Sequence, residues 1–190
     1  MNNLKIHSLE TERLILEPIS VKFCTVEYVN WLNDKEVYQY LDTGGNYTLE
    51  GLSDYLTKYS ENTVLFWAII VKETNSHIGN IKIDPINQRN QIGEYGILMG
   101  DRNNWGKGYA KEASISVISY CFESLNLRKI TLGVIKDNVA AVKLYESLGF
   151  AVEGIYRMHG IYGGKYCDAI RMALFNMNDP DVQNYLVTES

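Results

Sequence analysis

Between Glu94 and Ala113 the chain reads EYGILMGDRNNWGKGYAKEA: a short apolar run, a polar turn, then two glycines opening an amphipathic stretch. This order predicts a strand, a tight turn and a helix whose first N–H groups have no intrahelical partner. Those groups, with the positive end of the helix dipole, face any anion placed at the junction, so the segment suits a phosphate. Gly106 and Gly108 lack a Cβ, which lets the backbone approach a diphosphate closely and take up positive φ. Taken alone, the segment also reads as a loop softened by glycine. Two familiar phosphate motifs are excluded by counting. A Walker-type loop needs four residues between its glycines and a Ser or Thr after Gly-Lys, whereas here five residues separate Gly100 from Gly106 and Lys107 is followed by Gly108. A dinucleotide fingerprint needs a third glycine where Lys111 stands.

A second segment, DNVAAVKLYESLGF from Asp137 to Phe150, places Ala141, Leu144, Tyr145 and Leu148 at helical offsets. Asn138 is set as the N-cap and Gly149 as the terminator. Seven residues are close to two turns, so Asn138 and Tyr145 lie on nearly the same face, roughly 10 Å apart along the axis.

Together the two segments resemble the GNAT superfamily of acetyl-CoA-dependent N-acetyltransferases. The first is similar to its motif A, a strand entering a loop of pattern Arg/Gln-x-x-Gly-x-Gly/Ala. The second is similar to its motif B helix, Asn-x-x-Ala/Ser-x-x-x-Tyr-x-x-x-Gly-Phe. Here the loop runs Asn103, Asn104, Trp105, Gly106, Lys107, Gly108, with Asn in place of the family's Arg or Gln. That departure puts one side-chain contact to phosphate in question, and Arg102, one residue earlier, is the candidate to replace it. TERLILEPIS, YVNWLNDKEVYQYL and EGIYRMHGIYGGKYCDAIRMALF are similar to the RimJ/RimL-like branch, which includes protein N-terminal acetyltransferases, antibiotic acetyltransferases and enzymes acting on amino sugars of nucleotide-sugar pathways.

The resemblance implies one acetyltransferase domain over residues 1–190, with acetyl-CoA as cofactor. Its cofactor contacts would be the main chain of Ile97, Leu98 and Met99, the turn Asn104, Trp105, Gly106, Lys107, Gly108, Tyr109 and Ala110, and Asn138 and Lys143. In the family a bulge splays this strand from the next, leaving main-chain groups to pair with pantetheine amides as a strand would.

Composition sets limits. The chain has 190 residues, 46% of them hydrophobic, enough for one well-buried domain and too few for two ordinary ones. A net charge of −5 with interspersed signs argues against a nucleic-acid surface, which would show a basic stripe. Cys24, Cys121 and Cys167 are odd in number and widely spaced, supporting neither a disulfide framework nor a metal cluster. A reducing cytoplasm fits best. The opening MNNLKIHSLE has no apolar signal core, and no apolar run approaches the roughly 20 residues of a membrane span. A monomer or a homodimer is expected.

Along the chain, Arg13 to Pro18 alternates like a strand. Val26 to Leu41 reads as two helices broken at Asn33-Asp34, and Leu49 to Tyr59 as a third. Strands are predicted at Val64 to Val71, Ile78 to Ile83 and Ile92 to Met99, with turns at Glu73 to Ser76 and Pro85 to Asn90. A helix over Gly108 to Glu123, a strand over Lys129 to Ile135, the Asn138 helix and a hairpin around Gly163-Gly164 complete the chain. The expected fold is α/β, a mixed, mostly antiparallel sheet of about seven strands with helices on both faces.

Acyl transfer from a thioester to an amine needs a neutral nucleophile, a stabilised oxyanion and a proton for the departing thiolate. Glu94, at the head of the strand leading into the loop, is the carboxylate nominated to take the amine proton; a solvated strand-end charge is the alternative. Tyr145 is nominated to protonate the thiolate, against the common fate of an apolar-face tyrosine as core. Asn138 would hold the pantetheine arm, cap its helix, or both. The resemblance places acceptor recognition on the first helices and the last hairpin, through Trp31, Tyr38, Tyr40, His159 and Tyr162. A small amine or amino sugar is the favoured acceptor, a protein N-terminus its rival, and a non-catalytic acyl-CoA-binding module the alternative to an enzyme.

Overall fold

Runs of alternating or continuous apolar residues form eight strands in the computed structural model, which describes residues 6–41, 45–60 and 64–188. The first half of the opening decapeptide lies outside the described residues. The strands are β1 (Leu9–Glu10), β2 (Leu14–Pro18), β3 (Leu65–Val71), β4 (Ser76–Asn87), β5 (Ile92–Met99), β6 (Lys129–Ile135), β7 (Ala151–Tyr162) and β8 (Lys165–Phe175). Helices are α1 (Val26–Asn33), α2 (Lys35–Tyr38), α3 (Leu49–Ser60), α4 (Tyr109–Ser119), α5 (Val139–Ser147) and α6 (Pro180–Thr188). The strands follow the order β1-β2-β3-β4-β5-β6-β8-β7. β5 and β6 pair parallel, and the pairs β1–β2, β2–β3, β3–β4, β6–β8 and β7–β8 are antiparallel. This is the mixed, mostly antiparallel sheet expected, with one strand more than anticipated.

The chain divides into two compact units, and β4, β5 and α4 contribute residues to both. The first comprises Met1–Asp84 and Gly96–Ala113. All seven residues of β3 are buried, because apolar side chains cover both of its faces. One face carries Phe66, Ala68 and Ile70 into a cluster with Phe23, Tyr28, Leu32, Leu52 and Leu56 from the helical segments. Thr25 starts α1 by accepting the Tyr28 N–H at 3.2 Å, and Asp34 starts α2 by accepting the Glu36 N–H at 3.0 Å. Each such cap stabilises its helix by about 1 kcal/mol. The break at Asn33-Asp34 is therefore a second helix start.

The second unit comprises Pro85–Tyr95 and Ser114–Ser190. Ile130, Leu132 and Val134 of β6 are buried with Ala169 and Met172 of β8. β7 is the last strand of the sheet, and most of its residues are exposed.

Two boundaries differ from the sequence expectation, and two elements are new. β4 runs on through Pro85 to Asn87, where a turn was expected. Its register with β3 ends at Ile83, so the missing proline N–H removes no bond from that ladder. The helix expected over Gly108 to Glu123 is α4 followed by a wider π turn over Tyr120–Ser124. β1 and α6 were not anticipated. A two-residue strand and a nine-residue helix without a long apolar stripe leave little pattern to read.

Candidate active site

In the first unit, β5 leads into the turn that was expected to hold phosphate. Asp101 organises its entry: one carboxylate oxygen accepts the Asn103 N–H at 3.0 Å and the other accepts the Asn104 amide at 2.7 Å. A 3-10 turn over Arg102–Asn104 follows. The Trp105 indole then donates to the Met99 carbonyl at 2.8 Å, folding the turn back on the end of β5. Gly106 and Gly108 have φ of +74° and +82°, a conformation that side-chain-bearing residues rarely adopt. A Cβ at Gly106 would meet nothing within 4 Å, so that point of the turn is open to a ligand. Lys107 bonds the Asn104 side-chain oxygen at 3.0 Å, which ties together two of the expected contact side chains. Arg102, the proposed stand-in for the family's Arg or Gln, instead bonds Asp34 at 3.2 Å.

The turn is held by residues that local sequence reading missed. Arg13 donates to the Lys107 carbonyl at 3.0 Å, and its guanidinium lies 4.6 Å from the centre of the Tyr109 ring. It also pairs with Glu112, at 2.7 Å through Nε and 2.6 Å through Nη2. The other Glu112 oxygen accepts the Thr11 hydroxyl at 2.6 Å and the Arg13 N–H at 2.8 Å. Partial burial pushes the Glu112 carboxyl up, but these bonds outweigh it and hold the group below its ordinary value. The partners stand about a hundred residues apart, beyond the reach of any local pattern.

In the second unit, α5 has the caps its sequence specifies. Asn138 accepts the Ala141 N–H at 3.3 Å. At the far end Gly149, with φ +90°, donates to Glu146 and Phe150 donates to Tyr145, both at 3.0 Å, which is a Schellman motif. That motif fixes Tyr145. Its ring meets Tyr95 at 5.7 Å edge to face and Phe150 at 6.0 Å. Only 7% of the residue is exposed, and burial pushes the phenol up to about 12. Lys143, on the same helix, is exposed.

Glu94, the expected base, is held in an ion pair. Arg171 grips its two oxygens at 2.7 and 2.8 Å, and the Thr131 hydroxyl donates at 2.6 Å. Burial pushes this carboxyl up, yet the bonds from Arg171 and Thr131 prevail and hold it below its ordinary value. Proton uptake there works against the charge of Arg171. The β5–β6 register covers Ile92, Gly93 and Glu94, and Glu94 stands at its end. The sequence signal for Arg171 was its place on a strand of the last hairpin, with nothing local to link it to Glu94.

Of the expected acceptor residues, Trp31, Tyr38 and Tyr40 belong to the first unit and His159 and Tyr162 to the second. Trp31 and His77 pack at 4.9 Å and wall a cleft of about 530 Å³ that also meets Glu27, Asn30, Asp101 and Asn103. Burial pushes the His77 imidazole down from its ordinary value. Its Nε2 lies 2.9 Å from the Gly79 carbonyl, which can only accept, so that nitrogen carries the proton. His159 packs against Tyr156 at 5.2 Å within the irregular stretch of β7.

A mixed sheet carries a glycine turn that opens α4 and a capped tyrosine helix, and comparison with known proteins gives the class of protein. The acetyltransferase (GNAT) domain model matches residues 13–151, and the chain belongs to that family. The uncharacterized N-acetyltransferase p20 of Bacillus licheniformis is 34% identical over 173 residues, covering 89% of this chain and 96% of that protein. Spermidine N(1)-acetyltransferase of Escherichia coli K12 is 34% identical over 106 residues, 56% of each chain. Among solved structures, spermidine N-acetyltransferase from Vibrio cholerae in complex with CoA and spermine superposes with a TM-score of 0.77 at 25% identity, covering 87% of this chain and 97% of that one. The protein is an acetyl-CoA-dependent N-acetyltransferase. Among the described residues no helix is long and apolar enough to cross a membrane.

Proposed function

We propose that this N-acetyltransferase acetylates the primary amine of a small molecule, an aliphatic amine or an amino sugar, by direct transfer in a ternary complex. The observation that carries this reading is the cleft beside Trp31. It presents the Glu27 and Asp101 carboxylates and an indole, with neither lysine nor arginine among its described lining. Carboxylates attract an ammonium group, and an aromatic face adds to that attraction. The kinship with proteins named spermidine acetyltransferases supports an amine of this class.

Acetyl-CoA supplies the activated acyl group. In our reading the turn from Asn104 to Ala110 holds its diphosphate, and the main chain of Ile97, Leu98 and Met99 faces the pantetheine amides. Asn138 adds its side-chain NH2, since its oxygen is spent on the helix cap, and Lys143 contributes charge at the surface. As the amine nitrogen bonds to the carbonyl carbon and the C–S bond breaks, Tyr145 passes its proton to sulfur. The amine proton leaves to water, and Glu94, forked to Arg171, positions β5. Residues 1–190 form one acetyltransferase domain in this reading, in line with the family match over residues 13–151. The free thiols Cys24, Cys121 and Cys167 accord with a reducing cytoplasm.

A thiol-release assay across polyamines, amino sugars and peptides tests the acceptor. Turnover is expected on the first two panels. Turnover of peptides alone would replace this reading by protein N-terminal acetylation, and cofactor binding without turnover of any amine would leave only a binding module.

A further inference from the structure

We propose that Arg13 is a positioning residue that shields the phosphate turn from the carboxylate of Glu112, so that the head of α4 can accept the diphosphate of coenzyme A. The inference rests on the cofactor assignment and goes beyond it, to a side chain outside both sequence motifs.

The start of α4 presents a conflict. A helix N-terminus attracts anions through its unpaired N–H groups and its dipole, and the effect is confined to the first turn. Glu112 stands in that turn, and its own N–H closes the first helical bond, to Gly108, at 3.1 Å. An acid there stabilises an isolated helix, but it also repels a phosphate at the same end. Here the charge is cancelled at short range. Arg13 covers one carboxylate oxygen with Nε and Nη2, and its N–H shares the other with Thr11. The same guanidinium reaches the Lys107 carbonyl between the two positive-φ glycines. Its Nη2 lies 3.5 Å from the place a Cβ would occupy at Gly108. An arginine has five N–H donors in a fixed fork. Three are engaged by Glu112 and Lys107, so one remains on Nη1 and one on Nη2, the latter beside the glycine. The side chain of Arg13 is 43% exposed and that of Glu112 is 18% exposed, so the cation lies nearer to solvent and the acid is enclosed.

This arrangement predicts an asymmetry that a simple mechanical clamp does not. If the pair only braced the turn, loss of either partner would weaken cofactor binding alike, and the double variant would be no better than either. If Arg13 shields a charge, removing it exposes a bare carboxylate to the diphosphate, whereas removing Glu112 leaves a cation there.

The test is calorimetric titration of the purified full chain with coenzyme A at low salt, for Arg13→Gln, Glu112→Gln, the double variant and Arg13→Lys. The melting temperature of each unliganded protein is measured alongside. Arg13→Gln should weaken binding by about tenfold, Glu112→Gln should bind within about threefold of wild type or more tightly, and the double variant should recover at least about threefold over Arg13→Gln. Arg13→Lys, which keeps the charge without the fork, should bind more tightly than Arg13→Gln. Equal weakening by both single variants with no recovery in the double would overturn the proposal, as would an Arg13→Gln protein that binds like wild type. If Arg13→Gln does not fold, Glu112→Gln alone decides: binding clearly weaker than wild type sinks the shield. Failure of the wild-type protein to bind coenzyme A would overturn the cofactor reading together with this one, and is distinguished by that control.

Discussion

Replacing Tyr145 by Phe separates its chemistry from its packing, because the two rest on different atoms. The ring supplies the packing: it meets Tyr95 and Phe150, is buried, and is fixed by the Schellman end of α5. Phenylalanine keeps all of that. The hydroxyl makes no hydrogen bond among the described residues, so its removal should change stability by less than about 1 kcal/mol. Truncation to Ala would instead cost about 3–5 kcal/mol. In the proposed mechanism catalysis depends on the hydroxyl proton, and loss of a positioned acid lowers kcat by about one to three decades, or about 1.4–4 kcal/mol in the barrier. Cofactor affinity should stay within about threefold, since an acid acts in the transition state. With the phenol pushed up to about 12, it stays protonated throughout the assay range and should add no basic limb to the kcat profile near neutrality. Steady-state kinetics on the best amine, calorimetric titration with coenzyme A and a thermal melt measure the three quantities. A kcat within about threefold of wild type, or equal losses in kcat and cofactor affinity, would refute the assignment and return Tyr145 to the core.

Gly108→Val should abolish measurable coenzyme A binding, a loss of about a hundredfold or more, while lowering the melting temperature by only a few degrees. The φ of +82° is strained for a β-branched residue, and its side chain would point at the Arg13 guanidinium. Calorimetry and a melt check this, and retained binding would remove the glycine from the cofactor's path. Glu94→Gln should cost about 1–2 kcal/mol at neutral pH and lower kcat by less than about tenfold, because the fork to Arg171 positions a strand. The folded carboxyl lies below its unfolded value, so its contribution is present in full above about pH 4.3 and fades as pH falls through the folded value. The variant should therefore lose less stability on acidification than wild type, read from denaturant melts across pH. A kcat loss beyond about a hundredfold with unchanged stability would restore Glu94 as the base.

What the sequence made legible, and what it hid, follows from the range of the interactions. Asn138, Gly149 and Phe150 act within their own helix ends, and each was readable because a cap is a contact between residues a few positions apart. Gly106 and Gly108 were readable for the same reason, as turn chemistry is local. The break between α1 and α2 was visible through Asp34. By contrast, Arg13 meets Glu112 ninety-nine residues on, and Arg171 meets Glu94 across a separation of 77. Neither pair leaves a periodic or spaced signature, so the position of Glu94 alone could not show that it is half of an ion pair. The partner of Arg102, Asp34, lies on another element and was hidden in the same way. The glycine turn and the tyrosine helix are therefore local features that a sequence announces, whereas the partners of Arg13 and Glu94 are set by the fold. A charged residue beside a recognisable motif has to be assigned by its partner, and the Arg13 and Glu112 variants apply that rule where the two readings predict opposite signs.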